Sequence, residues 1–224
     1  MSFAVRRNLI RCGAIAGPLF IFIVLIQDYA RAGFDPRTHV LSLLSLGDWG
    51  WVQIANFVLA GVLNVLFAIA LWSLRASGES STAGSVFIFV YGVLLVVVGL
   101  LVTDPSGGFP PGAPELPGPS AHGVVHALGG LFAFVSLGAG LITFGVRALR
   151  NNHRGWGAYW IGNGVLLLLL FFGSFSEPAL TARLTRLAVL VGWTGASLIA
   201  TRLLVVLPGR CGSRREVMLL TSSS

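Results

Sequence analysis

His122 and His126 stand four residues apart, a spacing that sets two imidazoles on one face of a helix. Ser120 lies just ahead of them and can cap that helix, whose positive N-terminal end favours neutral rings. Neutral imidazole binds a metal or accepts a proton. Asp104 can complete a metal set with His122 and His126, and Asp35, Asp28 and His39 are further candidate ligands. Zinc or another divalent ion is the cofactor such a set implies, and a water activated on it could attack a lipid ester or amide. In the competing reading both rings hydrogen-bond loop carbonyls and hold the loop in place. HxxxH without the Glu of HExxH is a weak metal signal, so this structural reading leads.

Other polar residues gather on the same side. Asp35 and Asp104 each precede a proline, a pairing typical of turns and caps. His39, Ser42, Gln53 and Asn56 complete the candidate ligand-binding set of Asp35, His39, Ser42, Gln53, Asn56, Asp104, His122 and His126. Asp28 and Glu177 sit near helix C-terminal ends, where an acid gains nothing from the dipole; ion pairs with Arg31, Arg183 or Arg186 are the expected account. Asn64 and Asn163 fall inside apolar runs and are expected to hydrogen-bond across helices. A b-type haem is disfavoured because His153 falls on the opposite side from His122, although a single haem between His39 and His122 stays open. Cys12 and Cys211 have no metal-ligand spacing and read as incidental thiols.

The elements that must position these groups follow from composition. Of 224 residues 55% are hydrophobic and only 10% charged, which excludes an ordinary soluble domain and a disordered chain. Six apolar runs, at about 9–30, 51–75, 84–103, 122–148, 156–177 and 186–207, are long enough to cross about 30 Å of hydrocarbon as helices. The expected fold is an all-α polytopic bundle of six transmembrane helices, a single membrane domain over 1–224 with a short polar tail at 208–224. The net charge of +7 comes entirely from arginine. These arginines flank the apolar runs and are not interleaved with aromatics, so nucleic acid is not the expected partner; membrane lipid is, and protein partners are left open. Eleven of the fifteen arginines alternate onto one side, which places both termini in the cytoplasm and the chain in a plasma membrane, multi-pass. Arg6, Arg7 and Arg11 before an apolar run resemble a signal peptide, but the run exceeds the usual h-region of about 7–15 residues, so an uncleaved span is expected.

Two outer loops stand out. In 31–50, Asp35 can cap and Pro36 begin a short amphipathic interfacial helix that ends at Gly47, with Trp49 and Trp51 anchoring the next span at headgroup depth. Segment 104–121 holds six of the ten prolines and reads as a covering loop. Gly13 and Gly17 form a GxxxG expected to serve packing within the bundle. There is no GxSxG, no Walker A loop, no dinucleotide fingerprint and no ionisable residue clearly at a midplane.

FDPRTHVLSLLSLGDWGWVQIANF, TDPSGGFP and HGVVH, in that order and spacing, resemble the domain-of-unknown-function family 998 over about residues 10–207. Its motif positions match at Asp35, His39, Ser42, Gly47, Gly50, Gln53, Asn56, Asp104, Pro105, His122 and His126. The resemblance implies a bacterial plasma-membrane protein, often actinobacterial, with about six helices, and implies no activity. Three functions remain in view. The leading one is a membrane protein whose outer polar pocket binds a lipid headgroup or amphiphile, or supports a partner. The second is a metal-dependent lipid hydrolase, and the third a small-solute transporter.

Overall fold

A computed structural model describes residues 1–76, 78, 80–113 and 118–221, with side chains as far as Leu207. Glu115, one of the outer acids, lies outside the described residues, as do the side chains of Cys211 and of the arginines after Leu207. Six helices carry the fold: α1 (Phe3–Ala30), α2 (Gly50–Leu74), α3 (Thr82–Leu100), α4 (Ala121–Arg150), α5 (Arg154–Gly173) and α6 (Thr181–Thr221). All six are long and apolar enough to cross a membrane. The described residues contain no strand beyond an isolated bridge between Ser106 and Phe109.

Helix ends follow local chemistry. Ser2 caps α1 through Val5 N–H, so the helix begins before its arginines and not at the apolar boundary. The third span stops at Leu100 and the fifth at Gly173, earlier than hydropathy suggests. Asp104-Pro105 and Glu177-Pro178 lie just beyond, and a residue before proline is pushed out of helical conformation. Pro178–Leu180 form a short 3-10 turn capped by Glu177, which starts α6 five residues earlier than expected. The α6 helix continues beyond the apolar run, through the segment read as a polar tail, to Thr221.

Each helix packs on its sequence neighbours, and α6 closes back on α1, so the six form a ring. Six crossings put both termini at one end. We call that end the terminal face and the opposite one the loop face. Small residues set the spacing. A Cβ on Gly61 would lie 2.6 Å from the Gly92 carbonyl oxygen, and one on Gly92 would lie 2.8 Å from that of Gly61, so α2 and α3 touch backbone to backbone. The GxxxG of α1 serves two neighbours inside the ring: Gly13 faces Phe67 of α2, and Gly17 faces Trp193 and Ser197 of α6.

The interfacial helix expected from Asp35 does not form. Residues 35–38 make a turn, followed by a five-residue 3-10 helix, Leu41–Ser45, in which Leu41, Leu43, Leu44 and Ser45 are buried. Burying three leucines against the bundle removes more apolar surface from water than an amphipathic helix lying in the interface would. Trp49 and Trp51 remain exposed beside the start of α2, as an interfacial anchor requires.

Candidate functional site

The polar residues of the loop face separate into four groups. The first clasps the two outer loops together. Asp35 Oδ1 accepts from Arg37 N–H at 2.9 Å and shapes a tight turn, and the Asp35 carbonyl accepts from His39 N–H at 2.8 Å. His39 Nδ1 accepts from Asp35 N–H at 3.0 Å. Its Nε2 therefore carries the proton and donates to the Gly107 carbonyl at 2.9 Å, across to the proline-rich loop. Both ring nitrogens are engaged, which leaves none for an axial bond to haem. The ring is buried and packs between Phe34 and Phe109. Arg31 adds a second tie: it donates to the carbonyls of Leu44 (3.1 Å) and Leu46, and its guanidinium sits 5.6 Å from the Phe109 ring centroid. Burial pushes Arg31 down from its ordinary pKa, and the nearby Asp48 charge opposes that.

The second group joins α3 to α4. Asp104 accepts from Ser120 Oγ–H at 2.5 Å and from Ser120 N–H at 2.9 Å. The Ser120 hydroxyl bond is the larger of the two in holding the Asp104 carboxyl below its ordinary value. Ser120 Oγ in turn accepts from Gly123 N–H at 3.1 Å and caps α4. His122 Nδ1 lies 2.9 Å from Ser120 Oγ and 3.2 Å from the Val102 carbonyl. Serine, histidine and aspartate are thus adjacent, but in the wrong order for nucleophilic catalysis. The hydroxyl proton goes to the carboxylate and the ring does not bridge acid to serine. Gly123 is the residue that makes room: a Cβ there would sit 2.0 Å from Asp104 Oδ2.

His126 belongs to a third group. Its Nδ1 donates to the carbonyls of Val98 (2.9 Å) and Leu101 (2.8 Å), which the end of α3 leaves without helical partners. The HxxxH spacing therefore places two imidazoles over one helix terminus, with His126 on the last turn of α3 and His122 on the chain just beyond it. No three His, Cys, Asp or Glu side chains converge as a metal-binding group among the described residues. Of the set of His122, His126 and Asp104, His122 Nδ1 and Asp104 Oδ1 lie 3.9 Å apart, whereas His126 is turned to the Val98 and Leu101 carbonyls, so the three do not converge on one point. With Nδ1 protonated, His126 Nε2 is an acceptor, and this ring lines a cavity.

That cavity, of about 280 Å³, lies inside the loop-side half of the ring and is roofed by Val40, Leu41 and Ser42. Its wall is aromatic. Phe20 packs on Phe57 (5.4 Å between centroids) and on Trp193 (5.3 Å), and Tyr91 packs edge-on to Trp193 (5.5 Å). No charged side chain is among its described lining residues, and neither Asn64 nor Asn163 reaches it. Both asparagines bond within their own helices, Asn64 to the Ala60 carbonyl and Asn163 to the Tyr159 hydroxyl, and not across helices as expected.

Gln53 and Asn56 form a fourth, fully buried group with Gln27, a residue that polarity and spacing alone did not single out. Gln27 Nε2 donates to Gln53 Oε1 at 2.8 Å; Asn56 Nδ2 donates to the same oxygen at 3.2 Å and to the Phe20 carbonyl at 3.1 Å. This network fastens α1 to α2. Next to it Asp28 pairs with Arg186 of α6 at 2.7 Å, the ion pair expected for that acid, whereas Glu177 caps the 3-10 turn instead.

No curated protein and no solved structure matches the chain. A family described as protein of unknown function DUF998 matches residues 14–206, from the fourth turn of α1 nearly to the end of the apolar sixth span. The chain belongs to this family.

Proposed function

We propose that this multi-pass membrane protein binds a neutral amphiphile in the loop-face cavity, with the polar end of the ligand at His126 and its apolar body among Phe57, Tyr91, Phe134 and Trp193. The observation that carries the reading is an uncharged, aromatic cavity of about 280 Å³ with a histidine acceptor in its wall. An apolar cavity that could take a ligand of this size costs stability when empty, because its lining lacks contact partners. A charged headgroup would find no counter-ion there, whereas a hydroxyl could donate to His126 Nε2. The clasped loops serve as a roof. Arginine placement supports a plasma-membrane orientation with the terminal face in the cytoplasm, so the ligand would enter from the outer leaflet. The hydrolase and transport readings have no comparable support. The first needs a third ligand beside His122 and Asp104, and His126 is turned to the α3 carbonyls instead; the second needs a polar path that Asn64 and Asn163 do not supply.

The test uses a variant that fills the cavity. Gly130 lines it, and a Cβ there meets nothing within 4 Å. Protein purified in mild detergent is expected to retain a neutral lipid identifiable by mass spectrometry, and Gly130→Phe to lose it while melting no lower than the parent. Equal retention by both proteins, or none by the parent after incubation with diacylglycerol, would sink the proposal.

A further inference from the structure

The terminal face holds a second cavity, of about 350 Å³, where the end of α4 meets α5, residues 199–206 of α6 and Gly78. Its chemistry is the opposite of the first. Arg147, Arg202, Asn151 and His153 line it, with no acid among the described lining residues. We propose that this cavity binds the phosphate headgroup of an anionic phospholipid, at a site separate from the amphiphile cavity and independent of it.

Several observations converge on an anion. The Arg202 guanidinium lies over two indole rings, 5.1 Å from the Trp156 centroid and 5.4 Å from that of Trp160. Stacking holds the fork in place and leaves its N–H donors for a planar or tetrahedral oxyanion. Arg147 donates to the Gly78 carbonyl and has no carboxylate within ion-pair distance among the described residues; neither has Arg202. Trp160 is 5% exposed, and its indole Nε1–H has no acceptor among the described residues. The start of α5 lies at this end too: His153 lines the cavity and occupies the N-cap position of a twenty-residue helix without a side-chain capping bond. Two guanidiniums without a carboxylate partner among the described residues and a buried indole donor share one cavity, and a phosphate supplies them a common acceptor.

The rest of the wall argues for a lipid over free phosphate. Phe144, Ile199 and Leu203 line the same cavity and would accommodate the glycerol and first acyl carbons. Basic pockets between helices at the arginine-rich end of a membrane protein are where anionic headgroups are met at the bilayer surface.

The experiment is native mass spectrometry of the full chain released from nanodiscs of phosphatidylcholine doped with phosphatidylglycerol. Arg147→Gln/Arg202→Gln is compared with Arg150→Gln/Arg154→Gln, a charge-matched pair whose side chains are exposed on the same end. One tightly held phosphatidylglycerol is expected on the parent and on the control pair, with affinity reduced at least about tenfold in Arg147→Gln/Arg202→Gln. Equal loss in both pairs would mean diffuse surface charge, and equal retention would mean no site; either overturns the proposal. Competition by inorganic phosphate at equal concentration would overturn the lipid assignment in favour of a free-anion site. Should the double variant fail to fold, Trp160→Phe removes the indole donor and keeps an aromatic ring beside Arg202. It is expected to weaken retention several-fold, and unchanged retention would equally refute the site.

Discussion

The Asp28–Arg186 pair is where the ring closes, and it allows a quantitative test. Asp28 on α1 and Arg186 on α6 meet at 2.7 Å, with side chains 5% and 19% exposed. The pair is incompletely satisfied: Asp28 Oδ1 and Arg186 Nε and Nη2 are buried without partners among the described residues. Two charges have been taken out of water and only part of their hydrogen-bonding capacity returned. Such a pair adds little net stability, yet each member depends on the other. Removing one strands an ion, at a cost of about 3–5 kcal/mol in a sealed interior; the residual exposure of Arg186 argues for about 2–3 kcal/mol here. Replacing both with apolar residues of similar size removes the two desolvation penalties together, and is expected to fall within about 1 kcal/mol of the parent. Asp28→Leu and Arg186→Met should therefore each destabilise strongly, whereas the double variant recovers. The coupling in the cycle is then about 3–7 kcal/mol. Equilibrium unfolding by SDS in mixed micelles, followed by far-ultraviolet circular dichroism, measures all four proteins. A double variant as unstable as the sum of its singles would show that the two residues act independently, and the argument that this seam is held by a strained ionic contact would be wrong.

Further outcomes follow from the loop clasps and the helix seams. His39→Ala should speed proteolysis of the proline-rich loop several-fold, because both the Asp35 amide and the Gly107 carbonyl lose their partner; His39→Gln, which can still donate to one of them, should recover part of the protection. Gly123→Ala drives a methyl group into the Asp104 carboxylate, and hydrogen exchange at the first turn of α4 should accelerate while the centres of α2 and α3 stay protected. The Asp104 carboxyl is held below its ordinary value, so its contribution to loop order is present above the unfolded value of about 3.9 and is lost only as pH falls through the lower folded value. Loop protection measured against pH should therefore persist below about pH 4 in the parent, and Asp104→Asn should abolish that acid transition. Gly61→Val places branched carbons against the Gly92 backbone and should cost about 1–3 kcal/mol or more in the same SDS assay, with no effect on phosphatidylglycerol retention at the terminal face.

The helices were legible because membrane spans obey a rule that one sequence suffices to apply: about twenty apolar residues with few charges. Their ends were less legible, since a proline just outside an apolar run decides where the helix stops: Pro105 and Pro178 each lie five residues beyond the last helical residue, Leu100 and Gly173. The first outer loop was misread for a different reason. Asp35-Pro36 is a sound helix start in isolation, and the residues after it have amphipathic spacing. What the sequence does not display is that His39 will reach Gly107, 68 residues on, and that Leu41, Leu43 and Leu44 will be buried against the bundle. A tertiary contact of that kind overrides local propensity. Gln27 escaped notice likewise. Polarity at one position says nothing about which neighbour it will face, and only the packing of α1 on α2 brings it to Gln53.

A concentration of histidines and acids at one face is also a poorer guide to a ligand site in a membrane bundle than in a soluble enzyme. Every helix that ends near the bilayer surface leaves carbonyls or amides without partners, and the short loops between spans must satisfy them. His122, His126, Ser120, Asp104 and Asp35 do this work here, so polar residues accumulate at the loop face whether or not a ligand binds there. The space large enough for a ligand is bounded instead by Phe20, Phe57, Tyr91 and Trp193, residues that read along the chain as ordinary membrane core. The same logic applies in reverse at the terminal face. Arginines there are expected from orientation alone, and it is the absence of any acid opposite Arg147 and Arg202 among the described residues, together with an unsatisfied indole and an uncapped helix, that separates a binding site from a topological signal. In a bundle of this kind, the informative polar atoms are those that packing has left without a partner.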